Sequence, residues 1–197
     1  MAKSFSYWLF KKRRGNSPVV DLASDAYSDK SWPRNGTKFS EFYNYIRSMG
    51  ACSEAIDALL DAWSEYSGVD YHNVYRRCVY GLEVFDLLNL TSMEYQTPPP
   101  EHTYIYALVE IGEFSDACPF YVGQARRPVR RLRQHAFHTD KNMLEKIRII
   151  FENGRAPMIE ILECVHASVA QEYERAYIDM LGSFAVSKDG LYNVRLK

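Results

Sequence analysis

Three consecutive prolines, Pro98 to Pro100, constrain this chain more than any other feature. Proline fixes φ and lacks an amide hydrogen, so a run of three cannot sit inside a helix or a central strand. The surrounding "TSMEYQTPPPEH", Thr91 to His102, predicts an extended linker. It separates residues 1–90 from residues 103–197, and the two sides differ in texture. Each side has the length of a small domain. A hydrophobic share of 47% is enough to bury real cores.

Before the linker the chain reads as an all-α helical bundle. "SFSYWLFKKRR" puts Phe5, Trp8 and Leu9 on one face, and "FSEFYNYIRSM" repeats Phe39, Phe42, Ile46 and Met49 at helical spacing. "SEAIDALLDAWSEY" opens on Ser53 as a candidate cap and stripes Ile56, Leu59, Leu60 and Trp63. "NVYRRCVYGLEVFDLLNL" predicts one more, longer helix, and turns such as "KSWPRNG" separate the elements.

After the linker, "TYIYALVEI" and "PFYVGQA" predict paired strands with Gly112 between them. Pro128 opens a helix, a position that proline tolerates. "KNMLEKIRIIFENG" predicts a second helix stopped by Gly154, and "APMIEILECV" a third strand. "SVAQEYERAYIDMLG" predicts a last helix, with Ser168 and Gln171 as a capping box and Gly182 as its end. The order β–β–α–α–β–α implies a small α+β domain.

The charge balance, Lys+Arg 24 against Asp+Glu 25, gives no global attraction to nucleic acid, so a local patch has to supply any. No apolar run reaches the roughly 20 residues that a membrane span needs. The apolar part of "MAKSFSYWLFKKRRGN" is too short for a secretory signal, and its charges follow rather than precede it. Cys52, Cys78, Cys118 and Cys164 are widely spaced, with no CxxC pair. That spacing argues against zinc and a disulfide framework and predicts reduced thiols in a cytoplasmic protein.

The patch exists in "YVGQARRPVRRLRQH", which starts at Tyr121 and carries five arginines and no acid. On the helix from Pro128, Val129, Leu132 and Ala136 share an inward face. Arg131 and His135 lie four apart on another, which Arg127 and His138 extend. Taken alone, this pattern also suits a solvated basic face. Glu174 has Ala170 and Ile178 one turn away and Tyr177 beside it. A carboxylate in such company needs a cation, a metal ion or an exposed position at the rim. Tyr104 and Tyr106 share one face of their strand, and Tyr121 follows on the next.

The order "YIY", "YVG", an arginine ten residues on, a helical glutamate in "ERAYI" and then "LYNV" resembles the GIY-YIG nuclease family, from Tyr104 to Val194. The resemblance implies a three-stranded antiparallel sheet flanked by helices and a catalytic site carried over by position. Tyr106 and Tyr121 stand for the two motif tyrosines, with Tyr104 and Gly123 beside them. Arg131 stands for the catalytic arginine, and His135 for a second proton handler. Glu174 stands for the single carboxylate that holds one divalent cation, Mg²⁺ or Mn²⁺. Asn193 stands for the asparagine that closes the site. Arg126, Arg127, Arg130 and Arg133 are then expected on the phosphate backbone. Three departures mark this chain. Tyr104 replaces the first motif glycine, "GEFSDACP" lengthens the hairpin loop, and Gln124 stands where some members carry lysine.

The stretch from about Ser4 to Tyr66, with "DLASDAYSDKSWP" and the "AW..Y" ending, resembles the YozE-like, sterile-alpha-motif-like helical family. That resemblance implies a small bundle, extended here by a trailing helix to residue 90. It offers a surface for a homo-oligomer, a protein partner or, through "KKRR" at Lys11 to Arg14, nucleic acid. The expectation from sequence is a metal-dependent endonuclease, on DNA in preference to RNA, with no membrane association. The rivals are a nucleic-acid-binding protein or an interaction adaptor with the same fold and no cleavage.

Overall fold

The computed structural model describes residues 4–79, 97–111, 117–138 and 141–184. The chain divides into two compact units, Met1–Arg76 and Arg77–Lys197. The expected linker at 91–102 falls in the second unit. Residues 91–96 and the expected extent of the trailing helix past residue 79 lie outside the described residues.

The first unit is helical. Helix α1 (Phe5–Leu9) runs into a single 3-10 turn, Phe10–Lys12. There follow α2 (Pro18–Ser28), α3 (Phe39–Ser48), α4 (Ser53–Ser67) and α5 (Tyr71–Val79), the last of which crosses the division between units. Ser4 caps α1 and Ser17 caps α2, each accepting an amide hydrogen three residues on. Helix α2 is not among the expected elements. Its buried residues are Leu22, Ala23 and Ala26, an inward face with one bulky side chain and two small ones. Two local expectations change. Ser53 is the first residue of α4 rather than its cap, a place taken by Cys52. Met49 lies past the end of α3 and is exposed rather than on the inward stripe.

Aromatic rings fill the core of this unit. Phe5 packs at 4.3 Å from Trp63 and 4.9 Å from Phe42, and Phe42 at 5.3 Å from Trp63, as ring centroids. The Trp32 indole donates to Ser6 Oγ at 3.1 Å, which satisfies the polar atom that its burial would otherwise strand. A side chain at Gly36 would meet the Phe42 ring at 2.7 Å, so the turn before α3 is closed by the absence of one.

The second unit is α+β around a three-stranded antiparallel sheet. Its strands are β1 (His102–Ile111), β2 (Ala117–Ala125) and β3 (Met158–His166), in the order β2-β1-β3. Gly112 and the rest of the hairpin loop, 112–116, lie outside the described residues. Helices α6 (Pro128–His138) and α7 (Lys141–Glu152) cover one face. There Tyr106, Leu108, Phe120 and Ile159 pack with Met143, Ile147 and Ile150, with Val129 and Leu132 against them as expected. Glu110 ties β1 to α7 through Lys146 at 2.8 Å. Helix α8 (Ala170–Phe184) packs on β1 and β2. Period-two alternation assigns it the opposite face, with Ile105, Ala107 and Val109.

At the start of α8 the expected capping box is absent: the Ser168 hydroxyl pairs instead with His166 Nδ1 at 2.7 Å. Gly182 lies inside α8 and does not end it. Gly154, with φ of +70°, does end α7 as expected. All four cysteines are free thiols. Among the described residues, no helix is long and apolar enough to cross a membrane.

The three tryptophans, Trp8, Trp32 and Trp63, all lie in the first unit, so their fluorescence reports its unfolding separately. Phe42→Ala is expected to cost this unit about 3–5 kcal/mol. Gly36→Ala should cost about 1–3 kcal/mol through the clash with that ring. Denaturant titration followed by tryptophan fluorescence checks both.

Candidate active site

The register of β1 with β2 sets the centre of the site. Tyr106 pairs with Gly123 and Leu108 with Tyr121, so the two tyrosines stand on one face as diagonal neighbours. Their ring centroids are 6.1 Å apart at 45°. The two hydroxyls are hydrogen-bonded, a contact that favours the proton on Tyr106 over that on Tyr121. A Cβ on Gly123 would lie 2.7 Å from Tyr121 Cε1, 2.9 Å from its hydroxyl and 3.0 Å from the Tyr106 hydroxyl. Glycine is required here for space rather than for backbone freedom.

Glu174 arrives from α8, on the other side of edge strand β2. Gln124, the residue after Gly123, donates from Nε2 to Glu174 Oε2 at 2.9 Å. The helix supplies the carboxylate and the strand fixes it. Burial pushes the Glu174 carboxyl up, while the Gln124 hydrogen bond and the Arg175 charge pull it down. The carboxylate is thus held half-buried at a cost in charge solvation, as expected of a functional acid.

Tyr121 feels Glu174 and Arg131 in opposite directions. Burial pushes its hydroxyl up most, the Glu174 charge adds to that, and the Arg131 guanidinium and the bond from Tyr106 pull it down. Tyr106 is pushed up further, chiefly by burial and then by Tyr121. The Arg131 guanidinium acts to lower both phenols, but desolvation outweighs it, and both are protonated at neutral pH. The asymmetry still separates them, because the internal hydrogen bond favours loss of a proton from Tyr121 and opposes it at Tyr106.

Beside this pair opens a cleft of about 470 Å³, lined by Thr97, Ala125, Arg126, Arg127, Arg130, Arg131 and Gln134. Four arginines, from the end of β2 and the first turns of α6, face one space with no acid in its lining. Arg131 belongs both to this cleft and to the electrostatic surroundings of the tyrosines, and its Nη1 donates to Gln134 Oε1 at 3.3 Å. Such a cleft binds anions by fixed charge and planar N–H donors.

Of the residues singled out from sequence, Tyr106, Tyr121, Gly123, Arg131 and Glu174 come together. Arg126, Arg127 and Arg130 line the adjoining cleft. Tyr104 lies further along the same strand face, opposite Ala125, and its hydroxyl is pushed up by burial. Arg133 and His135 lie on α6, but their side chains fall outside those described, and so does Asn193. Sequence reasoning missed the tasks of Gln124, Gln134 and Thr97. Gln124 and Glu174 are 50 residues apart, and no local signal links them.

Among the described residues, no group of three or more His, Cys, Asp or Glu could hold a metal ion. Were a hard divalent cation to bind here, Glu174 would be the carboxylate to hold it, with water completing its shell.

The family described as "YozE SAM-like fold" matches residues 4–68. The chain is similar to the UPF0346 protein GK1571 of Geobacillus kaustophilus (strain HTA426), 34% identical over 68 residues, which are 34% of this chain and 94% of that protein. It is also similar to a UPF0346 protein of Streptococcus thermophilus (strain ATCC BAA-491 / LMD-9), 31% identical over 68 residues, 34% of this chain and 96% of the relative. No solved structure matches.

The tyrosine pKa values carry a stability consequence. A phenol whose pKa is higher folded than unfolded contributes its full stabilisation below the unfolded value, about pH 10. That contribution is lost as pH rises from there toward the folded value. The second unit should lose stability above about pH 10, and Tyr106→Phe should shallow that loss. Stability measured by denaturant at several alkaline pH values checks it. Glu174, also raised, gives the opposite expectation for its removal at neutral pH: Glu174→Gln should leave the unfolding midpoint unchanged or higher.

Proposed function

We propose, for a chain that belongs to the YozE SAM-like family through residues 4–68, that the second unit is a metal-dependent endonuclease of the GIY-YIG kind. Its substrate on this reading is a nucleic acid, DNA in preference to RNA. The observation that carries the reading is the meeting of Tyr106, Tyr121, Gly123, Arg131 and Glu174 at one strand edge, beside a cleft lined by arginines.

The residues fall into complementary roles. Arg126, Arg127 and Arg130 hold the phosphate backbone on either side of the target and set its register. Arg131, between cleft and tyrosines, faces the scissile phosphate and stabilises the negative charge that builds there in the transition state. Tyr121 is the phenol whose own proton the Tyr106 hydrogen bond and the Arg131 charge help to release, and only as the phenolate so formed would it take a proton from water. Gln124 holds Glu174 in place. Glu174 would hold Mg²⁺ or Mn²⁺, which when bound supplies Lewis-acid charge at the phosphate.

One observation favours a second reading, binding without cutting: both tyrosines are driven toward their neutral form. Plasmid nicking by the purified chain with Mg²⁺ or Mn²⁺ decides between the two. Cleavage that stops in excess chelator and falls by roughly 10²-fold or more in Arg131→Ala and Glu174→Gln supports the nuclease. Cleavage indifferent to both substitutions would overturn it. DNA binding that survives Glu174→Gln, with no wild-type cleavage under either metal, would favour the second reading.

A further inference from the structure

The first unit carries a cationic surface that its core does not use. Arg13 lies over the Tyr27 ring, its guanidinium carbon 3.6 Å from the centroid, while its Nε donates to the Phe10 carbonyl at 2.8 Å. Arg34 lies over the Phe10 ring at 5.4 Å, and its Nη2 donates to the Tyr27 carbonyl at 3.0 Å. The two rings meet edge to face, with centroids 5.4 Å apart. Each arginine therefore lies over one ring and is tied to the backbone of the other, which makes a crossed clamp. Lys11 extends it over Tyr7 at 4.6 Å. Tyr7 and Tyr27 are 47% exposed, too open for core residues.

The clamp arginines keep their charge available. Neither forms an ion pair among the described residues, whereas neighbouring Lys12 is paired with Glu65. Asp29, the acid that senses Arg34, spends its carboxylate on the Tyr45 hydroxyl and the Ser31 amide. An exposed guanidinium held in this way presents its N–H donors with little further ordering cost. Cations beside exposed rings match a ligand that presents both unstacked aromatic bases and phosphates. An acidic peptide would use the charge and leave the stacking surfaces idle.

We propose that the Arg13–Tyr27–Arg34–Phe10 clamp is a binding site for single-stranded nucleic acid, separate from the candidate active site. It deepens the nuclease reading by giving the substrate a second contact, yet the binding itself is measured without cleavage.

The test uses the full chain in chelator and a fluorescent oligothymidine strand, titrated over a range of salt. The double variant Arg13→Ala/Arg34→Ala is expected to bind at least about tenfold more weakly. Its log–log salt slope should be shallower by about 1.4, two phosphate contacts at about 0.7 each. Arg13→Lys/Arg34→Lys should keep most of the slope and still lose affinity, since lysine keeps charge but not the plane. It carries the test if the alanine variant fails to show the wild-type tryptophan unfolding transition. Affinity and slope unchanged in the folded variants would overturn the clamp, as would a strand that the wild type does not bind. Variant-sensitive binding by a chain that cuts nothing would uphold the clamp and sink the nuclease. Cleavage by a chain whose strand binding ignores the clamp would do the reverse.

Discussion

Edge strand β2 carries a glycine at the point where two tyrosine hydroxyls converge, and the candidate site depends on that empty position. At 2.7–3.0 Å from a hypothetical Cβ, the Tyr121 ring edge and both hydroxyls occupy the volume that any other residue would fill. The bare backbone lets the phenols lean across the strand and bond to each other. It also keeps the strand edge open between one sheet face, which supplies the tyrosines, and the other, from which α8 supplies Glu174. The next residue, Gln124, fixes that carboxylate. Two adjacent positions thus do opposite work, one by absence and one by a hydrogen bond.

Desolvation governs the chemistry that such a site can perform. Tyr106 belongs to the core cluster of the second unit, so its proton is held by burial before any neighbour is counted. Tyr121 is less enclosed, and there a hydrogen bond and an arginine work against burial. The same packing that builds the sheet therefore grades two chemically identical groups into a donor and an acceptor. Glu174 shows a related tension: burial disfavours its charged form where the fold puts it, and Gln124 and Arg175 work against that.

The two units are stabilised by different means. The first is a small bundle whose interior holds a cluster of aromatic rings, Phe5, Phe39, Phe42 and Trp63 among them, closed at Gly36 by another missing side chain. Its outer aromatics hold cations instead of a core: Tyr27 and Tyr7 carry Arg13 and Lys11. The second unit buries aliphatic residues on both faces of a sheet and concentrates its free cations along one segment at the end of β2 and the start of α6.

Much of this was legible in the sequence. Alternation and helical spacing located both halves of the β–β–α–α–β–α unit, because each signal lives within a few residues of itself. The arginine run announced a basic cleft, and the order of tyrosines, arginine and glutamate named as candidates residues that the fold places near one another. Helix α2 was missed because its buried stripe is built from alanine and one leucine, and Ser168 was misread because its hydroxyl found His166 before the helix amides.

What the sequence determined by itself was local: which segments are strands and helices, and where charge accumulates. Tertiary structure decided what depends on distance. Gln124 meets Glu174 across 50 residues, and a glycine two positions past Tyr121 matters because β1 brings Tyr106 opposite it. The protonation of the two phenols follows from burial, which is a property of the packed unit. Hydrogen bonds between remote segments and the loss of water around a group leave no periodic trace along the chain, so only the fold could set them.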